Sequence, residues 1–366
     1  MSDLLAVGCY TAETGGRGEG ITLVERDSAS GRLGDVVAVL PAPSPSFLVT
    51  SRDGPFRVVH AAHELPDGRV STWQLDSTGG RQLAQVASGG GSPCHVAVHP
   101  SGLLLVVSGY EGAVGAVPVR GRPVAAASGP VQVLTPALPR GVAGPVADRQ
   151  DGPHPHSAAF LDERHAVVAD LGTDEVRVHA VVTEGGAPAR LDPEPAQVVR
   201  CPPGSGPRTA LVRDGRLHVT GELDGTLLTA DVAVGRLGAL RSSPALAGAG
   251  PAGPPSEVAA LGERHLLVAT RGDHPALTVH VVAGDAGDGG TTSTRALLDI
   301  PLAPLGALGP RHVLALGRHV YVSAQDSDLL LHLELAGLGG EDDDGPPRVV
   351  AHSAVALGSP TVAVAL

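Results

Sequence analysis

Apolar residues along this chain come in short bursts of five to eight, each closed by Gly, Pro or Asp. Bursts of that length, bounded by turn formers, predict strands and not helices. One phrase recurs: usually Gly or Ser, then Pro, two variable residues, an apolar burst and a turn. It starts at Pro45, Pro93, Pro155, Pro207, Pro255, Pro310 and Pro360, in steps of 48, 62, 52, 48, 55 and 50 residues. A second burst follows each turn, as in FRVVHAAHE, LLLVVSGYE and HLLVATRG, then a third and a weaker fourth. Four strands per unit of about fifty residues describe a propeller blade. The chain ends inside a first-strand phrase, Pro360 to Leu366, and opens on a second strand, Leu4 to Tyr10. The expected fold class is therefore all-β: a seven-bladed β-propeller of four-stranded blades, one domain over 1–366, with the ring closed by the C-terminal strand joining the N-terminal blade. Such closure removes two free edges. The segment 120–153 lengthens the third unit. The stretches 284–292 and 337–347, with the acidic run Glu341-Asp342-Asp343-Asp344, are expected to be solvated hairpin tips.

Composition fits this picture. Gly (50) and Pro (32) would break long helices repeatedly but punctuate short strands well. Arg supplies all 26 positive charges against 38 acidic residues, for a net charge of −12. Lys and Asn are both absent, a bias expected of a GC-rich genome. An acidic chain is a poor non-specific nucleic-acid binder. No apolar run is long enough to span a membrane, and the N-terminus lacks a basic leader. Cys9, Cys94 and Cys201 fit neither a metal knuckle nor a disulfide framework. A cytoplasmic monomer without cofactor or metal is the expectation.

In a propeller the first strand starts, and the second ends, at one mouth of the central channel. The register therefore lists the residues there. After each repeat Pro stand Ser46-Phe47, Cys94-His95, His156-Ser157, Arg208-Thr209, Ser256-Glu257, Arg311-His312 and Thr361-Val362. Closing the second strands are Tyr10, Glu64, Tyr110, Leu171, Glu222, Arg271 and Gln325. Any one polar residue here could be merely hydrated, but Arg208, Arg271 and Arg311 converge from separate blades. Clustered guanidiniums suit a bidentate phosphate or carboxylate. In Arg149-Gln150-Asp151-Gly152-Pro153-His154-Pro155-His156-Ser157, His154 and His156 are two apart, so in extended chain they point the same way. They could chelate a metal or divide proton transfer between them, but no spacing announces a third and fourth ligand.

These residues resemble the seven-bladed propeller lactonase family, which includes propeller-type 6-phosphogluconolactonases and carboxymuconate lactonizing enzymes. The likeness spans nearly the whole chain. It runs through Val7-Gly8-Cys9-Tyr10-Thr11, Ser92-Pro93-Cys94-His95-Val96, Arg149-Gln150 with Pro153-His154-Pro155-His156-Ser157, and Gly204-Ser205-Gly206-Pro207-Arg208. It continues in Gly221-Glu222, Thr270-Arg271-Gly272 and Gly309-Pro310-Arg311-His312. The resemblance implies an active site at His156, Arg208, Glu222 and Arg271. Thr209 departs from the family's Gly-Pro-Arg-His, and Gly221 stands where Asn precedes Glu. The expected activity is hydrolysis of a sugar lactone, 6-phosphoglucono-δ-lactone first. His156 or Glu222 would act as base and Arg208 or Arg271 would stabilise the oxyanion. Arg311, His312, His154, His95 and Glu257 are expected to bind the small anionic substrate. Two alternatives are cycloisomerisation of a carboxymuconate-like diacid and a non-catalytic binding propeller. The blades lack the Trp-Asp phrase of Trp-Asp repeats, since the sole Trp is followed by Gln, Trp73-Gln74.

Overall fold

A computed structural model describes residues 2–53, 56–121, 124–129, 131–136, 144–248, 253–283, 293–338 and 345–366. Seven antiparallel sheets form a ring in which each inner strand packs on the next and the last on the first. Every inner strand begins at a repeat proline: Pro45–Asp53, Pro93–Val98, Pro155–Asp162, Pro207–Arg213, Pro255–Leu261, Pro310–Leu316 and Pro360–Ala365. Proline has no N–H to give a ladder, so the first position of a strand suits it. The blade holding Ser2–Cys9 is blade 1, and the rest follow in chain order. Pro360–Ala365 completes blade 1 by pairing antiparallel with Ser2–Cys9, Leu5 opposite Ala365 and Gly8 opposite Val362. In blades 3, 4 and 5 the outer strand is split in two, giving five strands where the repeat predicts four. In blade 4 the gap between Ala187–Leu191 and Gln197–Arg200 contains Pro193 and Pro195, which cannot donate to a ladder. The loop 284–292 and the run Glu341 to Asp344 lie outside the described residues.

The apolar core sits between blades. Leu261, Leu267, Leu277 and Val279 of blade 6 pack on Val313, Val320, Leu331 and Leu333 of blade 7, all buried. Two sets of polar contacts tie the blades at the mouth. First, the residue after the repeat proline reaches the next blade. Ser46 Oγ donates to the Pro93 carbonyl (2.6 Å), Ser256 Oγ to Pro310 (2.6 Å) and Thr361 Oγ1 to Pro45 (2.7 Å). The Cys94 thiol points at the Pro155 and His156 carbonyls, 3.7 and 3.3 Å away. The three remaining positions of this ring carry His156, Arg208 and Arg311. Small hydroxyl and thiol groups bind blade to blade, and large basic groups take the places left over.

Second, within every blade the residue closing the second strand donates its backbone N–H to the carbonyl just before the repeat proline. Tyr10 bonds Ser359, Glu64 bonds Ser44, Tyr110 bonds Ser92, Leu171 bonds His154, Glu222 bonds Gly206, Arg271 bonds Pro254 and Gln325 bonds Gly309, all at 2.9–3.0 Å. Five of these acceptor residues, Ser44, Ser92, Gly206, Gly309 and Ser359, have φ between 38° and 60°. That left-handed turn aims the carbonyl back at the second strand, and it suits the glycines, Gly206 and Gly309.

Ser256→Ala removes a fully buried hydroxyl and leaves the Pro310 carbonyl without that donor. Urea unfolding should show a loss of about 1–2 kcal/mol, with an unchanged fold by circular dichroism. An unaltered midpoint would mean that these ties do not stabilise the ring.

Candidate active site

The two sets of ties place seven pairs of side chains around one mouth, and two charged clusters form there. The larger centres on Glu222, which is 2% exposed. Arg208 Nε lies 2.6 Å from its Oε2, Arg271 Nη2 lies 3.1 Å from Oε1, and Arg149 Nη2 donates to Oε1 at 2.7 Å. The Arg208 contact is an ion pair and not an aligned hydrogen bond, because Arg208 Nε and Glu222 Oε2 both lack a hydrogen-bond partner. Arg208 is held instead through Nη1, which donates to the Ser256 carbonyl and to Thr209 Oγ1. Upstream, the buried Asp174 carboxylate accepts the N–H groups of Gly204 (2.6 Å) and Gly206 (2.8 Å), fixing the loop that delivers Arg208.

One carboxylate shared by three guanidiniums shapes the titration of the whole mouth. Burial pushes the Glu222 pKa up, but Arg208, Arg271 and Arg149 together hold it below its usual range, so it stays ionised. Burial and then Arg208 bring Arg271 down to about 10. His156, 9% exposed, is pushed well below 6.5 by burial and then by Arg208, Arg311 and Arg271. It is therefore a neutral imidazole at pH 7. Its ring lies edge-on to Tyr110, with centroids 5.8 Å apart.

The second cluster joins blades 7, 1 and 2. Arg311 Nη2 donates to the Tyr10 hydroxyl and lies 3.1 Å from Glu64 Oε2, and its guanidinium sits 4.7 Å from the centre of the Tyr10 ring. The Tyr10 hydroxyl in turn donates to Glu64. Among the described residues four guanidiniums thus meet two carboxylates, Glu222 and Glu64, and two positive charges are left over.

The other candidates make their hydrogen bonds outside this set. His154 stacks on Tyr110 at 4.5 Å, and both its ring nitrogens are engaged, with the Tyr110 carbonyl at 2.7 Å and Asp151 at 2.8 Å. It props the tyrosine and does not chelate with His156. His95 and His312 occupy the next position along their strands. Each takes a backbone N–H of the following blade on Nδ1, from Ala158 and Ala363 respectively, at 3.4 Å. Phe47 lies 4.1 Å from the His95 ring and 5.6 Å from the His312 ring, so blades 2, 3 and 7 meet across the axis. Burial lowers both histidines to about 3. Glu257, also buried, has its Oε1 bonded by the Val258 N–H (3.0 Å), and burial raises it to about 8 against the pull of Arg208. It is a neutral acid at pH 7. Among the described residues no three His, Cys, Asp or Glu side chains are grouped to hold a metal ion.

Arg149 and Tyr110 join the cluster although neither was among the candidates. Tyr110 closes a second strand, and Arg149 stands beside Gln150 in the dense phrase before His156, so both were visible as positions. What the sequence lacked was their contact: the Tyr110 hydroxyl accepts from Arg149 Nε at 3.2 Å. Two hollows lie away from the mouth. One of about 580 Å3 has Glu175, Arg177 and Arg200 in its wall, and one of about 450 Å3 has Arg213, Arg216 and Arg264. In the first, Arg177 already bonds Asp170 and Glu175 at 2.8 and 2.5 Å, and in the second Arg213 bonds Asp214 at 2.8 Å. Surplus charge, not volume, singles out the mouth.

A family model described as lactonase, seven-bladed β-propeller, matches residues 4–341. A 6-phosphogluconolactonase of Bacillus subtilis is 29% identical over 212 residues, covering 55% of this chain and 54% of that protein. One of Formosa agariphila is 26% identical over 195 residues, covering 52% and 53%. The aligned part is about half the length of the curated relatives it matches. The solved structure of the Pseudomonas aeruginosa periplasmic gluconolactonase superposes with a TM-score of 0.82 at 27% identity, covering 100% of this chain and 99% of that one.

Glu257 gives the site a pH signature. Between its ordinary 4.5 and about 8 the folded chain holds a proton that the unfolded chain has released, so this group lowers stability as pH rises. Glu257→Gln should therefore gain on the parent protein from pH 5 upward, by roughly 3 kcal/mol at pH 7 (~1.4 kcal/mol per pH unit), and level off above pH ~8. Urea unfolding at several pH values reads this, and a difference independent of pH would contradict it.

Proposed function

The chain belongs to the seven-bladed β-propeller lactonase family, and from that premise we propose that it hydrolyses a phosphorylated sugar lactone, 6-phosphoglucono-δ-lactone. The observation that carries this reading is the surplus of two positive charges at the mouth, which matches a phosphate dianion and has no counterpart in a neutral lactone. In this reading His156 is the base. As a neutral imidazole at pH 7 it can accept a proton from water. The hydroxide adds to the lactone carbonyl carbon, and the carbonyl electrons move onto oxygen. Arg208 and Arg271 stabilise that oxyanion. Collapse breaks the ring carbon–oxygen bond, and the leaving oxygen takes the proton from His156. Glu222 is the weaker choice of base, because ionised and shared by three guanidiniums it gains little by accepting a proton. It serves to hold Arg208 and Arg271 in place. Arg311, with Glu64 and Tyr10, borders the substrate on the opposite side.

The same arginines that suit a dianion depress the basicity of His156. A bound dianion offsets their field, so His156 becomes more basic in the substrate complex than in the free enzyme. The acidic limb of kcat should therefore lie at higher pH than that of kcat/KM, with both limbs lost in His156→Ala. Freshly prepared lactone, followed against spontaneous hydrolysis at neutral pH, tests the activity itself. His156→Ala should lower kcat/KM by about 10²–10⁴. No acceleration by the parent protein would overturn the reading. Loss of diene absorbance from a carboxymuconate would favour the cycloisomerase alternative.

A further inference from the structure

Arg149 differs from the other guanidiniums at the mouth in how it gets there. It belongs to no strand, lying in the segment between Gln132–Leu134 and Pro155–Asp162 that makes the interval from Pro93 to Pro155 the longest. The described part of that segment is folded on a buried residue, Gln150, which is 1% exposed. Gln150 Nε2 donates to the Leu171 carbonyl at 3.0 Å, its Oε1 accepts from Val146 N at 3.2 Å, and its carbonyl accepts from Gly144 N at 3.1 Å. Arg149 N and Gln150 N both bond the Val146 carbonyl, at 2.9 and 2.8 Å. The turn is thus held firmly beneath Arg149 while the side chain reaches over the mouth.

The side chain is restrained on one edge and open on the other. Nε donates to the Tyr110 hydroxyl and Nη2 to Glu222, whereas Nη1 makes no hydrogen bond among the described residues. With 36% of its side chain exposed, against 6% for Arg208 and 29% for Arg271, it is the most accessible of the three on Glu222. A single carboxylate cannot neutralise three guanidiniums, and the most solvated partner is the one exchanged at least cost.

We propose that Arg149 is the specificity-determining residue of the mouth: its free edge grips the doubly charged phosphate of the substrate and so separates phosphorylated from unphosphorylated sugar acids and lactones. This rests on reading the mouth as a site for a phosphorylated lactone, and it adds which residue reads the phosphate. Arg208 and Arg271, more deeply placed on Glu222, are left to the reacting carbonyl. Tyr110 fixes the guanidinium plane, so a flexible ammonium in its place would restore charge without the paired donors.

Calorimetric titration with 6-phosphogluconate and with gluconate tests this without requiring turnover. The parent protein should bind the phosphorylated acid at least tenfold more tightly. In Arg149→Gln that preference should fall by about tenfold or more, and Arg149→Lys should recover only part of it. A merely structural role would weaken both ligands alike and leave the preference unchanged, which would overturn the proposal, as would a parent protein with no preference. Thermal melts confirm that the variants are folded. If the parent protein prefers 6-phosphogluconate through Arg149 yet accelerates no lactone hydrolysis, the hydrolase reading fails and this one stands.

Discussion

The structure depends on one hydrogen bond made seven times. In each blade the last residue of the second strand gives its N–H to the carbonyl that precedes the repeat proline. The bond closes the mouth end of a hairpin at a point where proline cannot contribute a donor. It also brings the residue that closes the second strand next to the residue that follows the proline. Where one is His156, Arg208, Arg271, Arg311 or Glu222, the same bond delivers a functional group to the channel mouth. A fold built to close a ring thus supplies a ring of addressable side-chain positions without further devices.

What occupies those positions is governed by charge. The chain as a whole is acidic, yet the mouth gathers four guanidiniums on two carboxylates. Each arginine is within reach of an acid, so the cluster folds without a buried charge standing alone. The pairing is incomplete by two charges, and at the same mouth stands His156, which burial and then these arginines keep neutral. Below it lies a layer of different character. His95 and Glu257 are buried, Phe47 and His312 are half-buried, and the three titratable members are uncharged at pH 7. A charged rim above a neutral floor confines an anion to the rim.

Much of this was legible in the chain because proline marks it. The seven inner strands begin on the seven repeat prolines, and the residues closing the second strands follow from counting. The convergence of Arg208, Arg271 and Glu222 was visible for the same reason. The remaining candidates have different surroundings. His95 and His312 sit one position beyond the ring that holds His156 and Arg208, and there the side chain takes a backbone N–H from the next blade. His154 lies before its strand, so an extended-chain argument places it beside His156 while its ring nitrogens turn to Tyr110 and Asp151. Arg149 belongs to a turn outside the repeat, where periodicity carries no information. Its role emerges only from a contact between that turn and two other blades.

The central claim is that the mouth is an anion site built on Glu222 and its arginines. A crystal structure of the protein with 6-phosphogluconate tests it most directly. The account predicts the phosphate within hydrogen-bond distance of Arg149 and the carboxylate near Arg208, Arg271 and His156. Ligand bound only in an outer groove, or a mouth whose arginines touch no part of it, would contradict it.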